Sequence, residues 1–496
     1  MSPRYSVAMT EAVERQATDH LLRADGQEDI CFALWRRSTG ATRTTALIQR
    51  IVAPVEGDRR VHGNASFEAQ YFQRALEIAA REGAGVALLH SHPFGRGWQG
   101  MSEDDVRAEQ NNAGAVYGAT KHPFIGLTLA GDRTWSARFW PRTAPRTYER
   151  HDCASVRLVG NRLRVCFNEA LIPQPPETQE QLRTVSAWGE QSQADLTRLR
   201  IGIIGLGSVG GIVAEFAART GFVEITVMDF DAVERHNLDR LIFADSSHVG
   251  QSKVEVLADR LRRIATAQTV IVHEVPHAVY EQSGLAAALD CDLLMACVDR
   301  PWGRHVLNSV AYAHLIPVVD GGIAVRTNRL GKLAAADWRA HTATVGRQCL
   351  QCLGQYLGSD VCLEQQGMLD DPVYIRGLPR DHHLKMRENV FAFSLGCASL
   401  QNLQALALTV APLGLTNPGA QLYHFVGGFM EPAAHPSCHG DCPFLEYTGL
   451  GDASPIPKPI ADISRVYQVP TPVPGPSFAR LKWWQHARNF FRSIFR

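Results

Sequence analysis

Three groups of side chains in this 496-residue sequence have the types and spacing to do chemistry. The first is His90-Ser91-His92-Pro93, directly after the apolar run Val86 to Leu89. Two imidazoles two residues apart at a strand end can face one metal ion. Asp105, thirteen residues after His92, can supply an anionic third ligand at a helix start. Three protein ligands leave a fourth position for water. Zinc there lowers the pKa of that water toward about 7, and a carboxylate not bound to metal must take the proton. Glu28, just ahead of the strand Ile30 to Leu34, is the candidate base, with Glu56 the alternative.

The second group opens on Gly205-Leu206-Gly207-Ser208-Val209-Gly210, between the short strand Ile201 to Ile204 and a helix expected over 209 to 220. Glycines in that setting let backbone approach a phosphate at the helix N-terminus, where amide dipoles favour negative charge. Asp229 ends the next strand, 19 residues after Gly210, where a carboxylate can hold a ribose hydroxyl. To this point the pattern suits NAD. The residues that follow do not. Asp231, Asn237, Arg240 and Lys253 place an amide, a guanidinium and an ammonium downstream, an arrangement suited to a triphosphate from which pyrophosphate leaves. Asp299, after the strand Leu293 to Cys297, can hold magnesium. The third group is Cys349-x-x-Cys352 with Cys438-x-x-x-Cys442, able to close a tetrahedral structural zinc site; His435 and His439 leave its fourth ligand open.

Glu28, His90-Ser-His-Pro and Ser102-x-x-Asp105 together resemble the JAMM motif of MPN-domain metalloproteases, which hydrolyse peptide or isopeptide bonds next to the C-terminus of ubiquitin-like proteins. The resemblance implies zinc on His90, His92 and Asp105, Glu28 as general base, and Ser102 helping to hold the tetrahedral intermediate. One departure is the loop Phe94 to Met101, two residues longer than the family's. Residues 180 to 445 resemble the adenylation domain of the ThiF/MoeB and ubiquitin-activating enzyme family. That family uses MgATP to adenylate the C-terminal glycine of a ubiquitin-like protein. By this resemblance Asp229 binds ribose, Asn237, Arg240 and Lys253 bind phosphates, and Asp299 binds magnesium. It also implies a thioester on Cys362 in the thioester-forming members, and matches Arg183 to an upstream arginine that often acts across a homodimer.

Separate folded units must position these groups. With 45% hydrophobic and 20% charged residues, the composition excludes wholesale disorder, collagen and coiled coil. Lys plus Arg and Asp plus Glu balance at 50 each, which argues against nucleic acid as the main partner. No run of 18 or more apolar residues occurs, and Arg4, Glu11, Glu14 and Arg15 stand where a secretory signal needs apolar residues, so a cytoplasmic protein is expected. Eleven cysteines are too sparse for a disulfide framework.

The first unit, 1–170, reads as an α+β MPN domain: strands around Gly40, a helix at 66 to 82, strands at 86–89, 124–129 and 134–140, and a hairpin at 156–165. Pro173, Pro175 and Pro176 mark a linker that, with the entry to the second domain, spans 171–196 and leads into an α/β Rossmann-like domain, 197–450, with a parallel-rich sheet. A Pro-rich extended tether follows at 451–476. The terminal 477–496 patterns Phe478, Leu481, Trp484, Phe491 and Phe495 against Arg and Lys as a basic amphipathic helix, suited to docking on protein or to peripheral contact with an anionic membrane.

The whole reads as a bifunctional bacterial-type enzyme requiring zinc, ATP and magnesium, acting on one ubiquitin-like protein that ends in glycine. A conjugating enzyme would be a further partner. The alternatives are sulfur-carrier processing with a sulfur donor and thiocarboxylate formation, a catalytically silent scaffold, and, more distantly, an NAD dehydrogenase.

Overall fold

The computed structural model describes residues 4–62, 64–328, 330–378, 382, 389–432 and 437–467. The expected basic helix at 477–496, the end of the tether past 467, and His435 lie outside the described residues.

The first half is built on a nine-stranded mixed sheet. Its central hairpin pairs Ile30–Thr39 with Arg43–Val52 around Gly40, where the apolar runs of both strands require burial on each face. Gly85–His92 pairs antiparallel with Ile30–Thr39 and parallel with Phe124–Ala130, so its histidines come at a strand end beside Ile30. Arg4–Thr10, Ser155–Val159 and Leu163–Phe167 complete the other side. Helix Glu11–Leu21 covers one face through Val13, Ala17 and Leu21. Helices Ala69–Glu82 and Glu103–Thr120 cover the other through Tyr71, Ala75, Ala79, Ala113 and Val116.

The second half contains an eight-stranded sheet. Five strands are parallel, in the order Ile271–Val275, Glu224–Met228, Arg200–Ile204, Leu293–Ala296 and Val318–Thr327. Leu333–Ala343, Gln421–His424 and Phe429–Pro432 extend it antiparallel. The chain order reverses between Arg200–Ile204 and Leu293–Ala296, opening the crevice at which nucleotides bind in such sheets. Helix Phe391–Thr409 is long and apolar enough to cross a membrane, but 56% of its apolar window is buried inside the protein.

The two halves are not independent units. Ala8, Leu47, Val159, Leu163 and Phe167 share one buried core with Ile201, Ile225, Leu293 and Leu408. At its margin Asp292 accepts from Arg43 Nη1 at 2.5 Å, Arg157 Nη1 at 2.7 Å and the Arg200 amide at 3.0 Å, all buried. Asp290 accepts from the Thr42 hydroxyl at 2.6 Å and the Arg43 amide at 2.9 Å. Gly40 is required beside it, since a Cβ there would lie 2.1 Å from Asp290 Oδ1.

Two expectations need amending. The segment 171–196 is not merely a linker, because it carries helix Leu182–Trp188 and most of helix Glu190–Thr197, and Leu196 enters the shared core. Residues 454–467 are extended as expected but are not a free tether. Ile460 bridges to Glu281, Asp462 caps Ser283 at 2.9 Å, and Arg465 donates to buried Glu281 at 3.0 Å. Apolar Ile and charged Asp and Arg between the prolines give that stretch something to bind with.

Burial works to raise the Asp292 carboxyl, but Arg43 and Arg157 hold it well below the usual carboxylate range. Its folded pKa being depressed, the stabilisation is present above the unfolded carboxylate pKa and is lost only as pH falls through the lower, folded one. Asp292→Ala strands two buried guanidiniums and should cost about 3–5 kcal/mol at neutral pH, read by chemical denaturation. A change within the scatter of surface variants would show that this joint is not an energetic contact.

Candidate functional site

The first site forms where Gly85–His92 ends. Alternation along the strand points His90 and His92 to one face and Ser91 to the other. The two Nε2 atoms lie 3.3 Å apart, with Asp105 oxygens 3.8 Å from His90 and 3.7 Å from His92. All three donor atoms fall within 4.8 Å of one another, a spacing that suits ligands around one zinc ion. Burial, with the Arg138 charge, pushes His90 down to about 3, so it is neutral and keeps a lone pair for metal. Burial raises Glu28 above the ordinary range; the His92 charge opposes the shift and Asp105 adds to it.

Residues invisible as motifs hold this arrangement. The Asp29 amide donates to Ser91 Oγ at 3.0 Å and the Ser91 amide to the Asp29 carbonyl at 3.1 Å, fastening the segment that carries Glu28 to the histidine strand. Asp105 and Glu109 stand one turn apart on helix Glu103–Thr120. Buried Glu109 accepts from Arg138 Nε at 2.9 Å and from Trp140 Nε1 at 2.7 Å, which turns Asp105 toward the histidines. Gly126 is the floor beneath, because a Cβ there would sit 2.0 Å from Glu109 Oε1. Gln99, in the lengthened Phe94–Met101 loop, places Oε1 3.3 Å from His92 Nδ1 and so favours the tautomer with Nε2 free for metal. Ser102 is the N-cap of the Asp105 helix, its hydroxyl donating to Asp105 Oδ2 at 2.8 Å.

The second site forms at the crevice of the parallel sheet. Gly205 takes φ +90°, and a Cβ there would meet the Cys297 carbonyl at 2.7 Å, so the glycine turn packs on the turn after Leu293–Ala296. Gly210 is excluded from a side chain by the Gly205 carbonyl at 1.9 Å. Gly207 differs, since a Cβ there would meet nothing within 4 Å, leaving open space at the start of helix Ser208–Thr220.

Asp229 is buried at the end of Glu224–Met228, accepting from the Leu206 amide at 2.6 Å and the Asp231 amide at 2.8 Å. Lys253 Nζ lies 2.8 Å from Asp231 and 3.8 Å from Asp229. Burial works to lower Lys253, but Asp229 and Asp231, with Asp299 adding, hold it above the ordinary lysine range. Phe243, a few residues after Asn237 and Arg240, packs on Gly211, one turn into the helix. Arg240 is bonded there to the His236 carbonyl at 2.7 Å and to Asp239 at 2.8 Å, and Asn237 caps Glu234 at 3.2 Å.

Residues 178–409 match the ThiF family. The chain is 31% identical over 175 residues, 35% of this chain and 66% of the other, to molybdopterin-synthase adenylyltransferase of Escherichia coli K12. It is 31% identical over 143 residues to adenylyltransferase and sulfurtransferase uba4 of Emericella nidulans, 29% of each chain. It is 27% identical over 143 residues, 26% of this chain and 35% of the other, to ubiquitin-like modifier-activating enzyme 5 of Drosophila willistoni. The chain thus spans at most about two-thirds of these relatives. Among solved structures, E. coli MccB with ATP is matched over 54% of this chain and 74% of that chain, at a TM-score of 0.41 and 16% identity.

The remaining expected residues lie within the matched stretch or, for Cys438, His439 and Cys442, after it. Cys349, Cys352, Cys438 and Cys442 bring four sulfurs within 4.8 Å of one another, Cys349 and Cys442 3.7 Å apart. His439 is exposed and outside that group. Cys362 is exposed on helix Gly358–Gln365. Glu364 of that helix accepts from the Trp302 amide at 2.8 Å, anchoring it just after Asp299. Arg183 is not brought to the glycine turn. It is exposed on Leu182–Trp188, whose neighbour Gln181 packs at Gly221, the far end of the same helix.

The two ligand groups predict separable metals. Metal analysis of the purified chain should find zinc at both; Cys349→Ser should lose the structural share and lower the melting temperature, whereas His90→Ala should lose only the other. Full zinc retention in either variant would remove that group from metal binding.

Proposed function

We propose that this chain uses ATP to adenylate the C-terminal carboxylate of a ubiquitin-like or sulfur-carrier protein. The observation that carries this reading is the convergence of the open Gly207 turn, buried Asp229, Lys253 and Asp299 at the crevice of a ThiF-matched sheet. Asp229, its carboxylate pinned by two amides, is set to accept from a ribose hydroxyl. The free amides at the start of Ser208–Thr220 suit the phosphates. Lys253, kept charged, and Arg240 and Asn237 on the adjoining turn offset the charge that grows on departing pyrophosphate. Asp299 would hold magnesium, which would supply further positive charge to the phosphates.

ATP–pyrophosphate exchange in the presence of a β-grasp protein ending in glycine tests this. Asp229→Ala and Lys253→Ala should each lower the exchange about 10- to 100-fold, the worth of a hydrogen bond to a charged group. Exchange unchanged in both would overturn the assignment of the site.

We further propose that the first half is a zinc peptidase of the JAMM type acting on the same partner, carried by the His90, His92 and Asp105 donors clustered beside Glu28. Zinc, when bound, supplies a polarised water as nucleophile. Glu28, raised by burial, is suited to take a proton on its carboxylate and pass it to the leaving amine. Gln99 orients His92, and Glu109 orients the helix of Asp105. Glu28→Gln should reduce cleavage of a partner carrying a C-terminal extension at least ~100-fold while leaving zinc content unchanged. Undiminished cleavage would exclude Glu28 as base.

The step after adenylation is conjugation through Cys362 or sulfur transfer, and the name of the uba4 relative favours keeping the second in view. Intact mass spectrometry with MgATP and the partner separates them. A thiol-labile adduct of the partner's mass, absent in Cys362→Ala, marks the thioester. Adenylate without adduct, converted only when a sulfur donor is added, marks sulfur transfer.

A further inference from the structure

The C-terminal strap, residues 460–467, is held too specifically to be a spacer. Ile460 exchanges backbone hydrogen bonds with Tyr280 and Gln282, both at 2.9 Å. Asp462 accepts from the amide and hydroxyl of Ser283, at 2.9 and 2.5 Å. Glu281, fully buried, accepts from both Arg465 guanidinium nitrogens and from the Ile463 amide at 3.2 Å, with His277 Nδ1 2.9 Å away. Although His277, Glu281 and Asp462 lie close enough to suggest a metal site, Arg465 already neutralises Glu281, so the group is a fastener for the strap.

The fastener delivers the strap to the nucleotide crevice. The Arg465 guanidinium stacks 4.7 Å over the Phe230 ring, between Asp229 and Asp231 in sequence. Tyr467 donates its hydroxyl to the Phe230 carbonyl at 3.1 Å. Asp229 and Asp231 are both close enough to act on the phenol electrostatically. Tyr467 is fastened to the rim, whereas the space over Gly207 stays open.

Resting on the adenylation reading, we infer that Tyr467 is a nucleotide-positioning residue: the strap supplies the outer wall of the ribose and base side of the ATP site, from a segment more than 200 residues after Asp229. Glu281 and Arg465 act through it by holding the strap in place.

ATP binding to the full chain, measured by calorimetry for wild type, Tyr467→Ala, Tyr467→Phe, Glu281→Gln and Asp229→Ala, tests this. Tyr467→Ala should weaken ATP about 3- to 10-fold, the scale of one aromatic contact, with Tyr467→Phe closer to wild type. Glu281→Gln should follow Tyr467→Ala, and ATP should slow tryptic cleavage after Arg465. In exchange assays Tyr467→Ala should raise KM for ATP more than it lowers kcat, with an unchanged melting temperature. If Asp229→Ala abolishes binding while Tyr467→Ala leaves it unchanged or tightens it, the strap inference is overturned and the site stands. If Asp229→Ala also binds normally, the adenylation reading falls and the inference with it.

Discussion

A single buried carboxylate fixes how the two halves of this protein meet. Asp292 precedes the strand Leu293–Ala296 and receives two guanidiniums from the other sheet together with the amide that opens Arg200–Ile204. One residue therefore sets the start of two parallel strands and the seat of the N-terminal sheet. Burial lowers Arg157 to about 10, and it stays cationic at neutral pH because Asp292 compensates. Around this contact the hydrophobic core runs from Leu47 and Val159 into Ile201 and Leu293 without a break. Such continuity makes the relative placement of the halves a property of the fold, rather than of a hinge.

The metal-site side shows how far reactive side chains depend on inert ones. His90 stands over Thr128, whose hydroxyl accepts from Arg138 at 2.6 Å, and Arg138 in turn is paired with Glu109 under the helix of Asp105. Burial disfavours the imidazolium of His90, and the guanidinium that anchors the helix adds to that effect.

Much of this was legible in the sequence, and the reasons for the rest are physical. Glycine spacing after an apolar run, paired histidines at a strand end and C-x-x-C are local patterns, and the fold brings each set together where expected. The start of the chain was not legible: Arg4–Thr10 is short and Glu11–Leu21 mixes charges with few apolar residues, and pairing with Arg43–Val52 and Ser155–Val159 makes the first a strand. Ser91, Gln99 and Glu109 carry no signal because polar residues at such places are ordinary; their value lies in partners 62, 7 and 29 residues away. Proline content marked 454–467 as extended, but not that Asp462 and Arg465 would find Ser283 and Glu281 across the surface.

Strand direction has a spatial consequence. Asp292, Arg200 and Glu224 stand at the amino ends of the parallel strands, so the halves join at the edge opposite the glycine turn. In the N-terminal sheet the Thr39–Arg43 turn meets that joint, while His90 pairs with Ile30 at the other end of the same hairpin strand. The two candidate sites therefore lie at opposite ends of this joined structure, separated by strand lengths of tens of ångströms. On the proposed reading, a polypeptide terminus seated over Gly207 cannot lie against His90 at the same time, so one partner served by both sites would have to let go of one and travel through solvent, or around the surface, to reach the other.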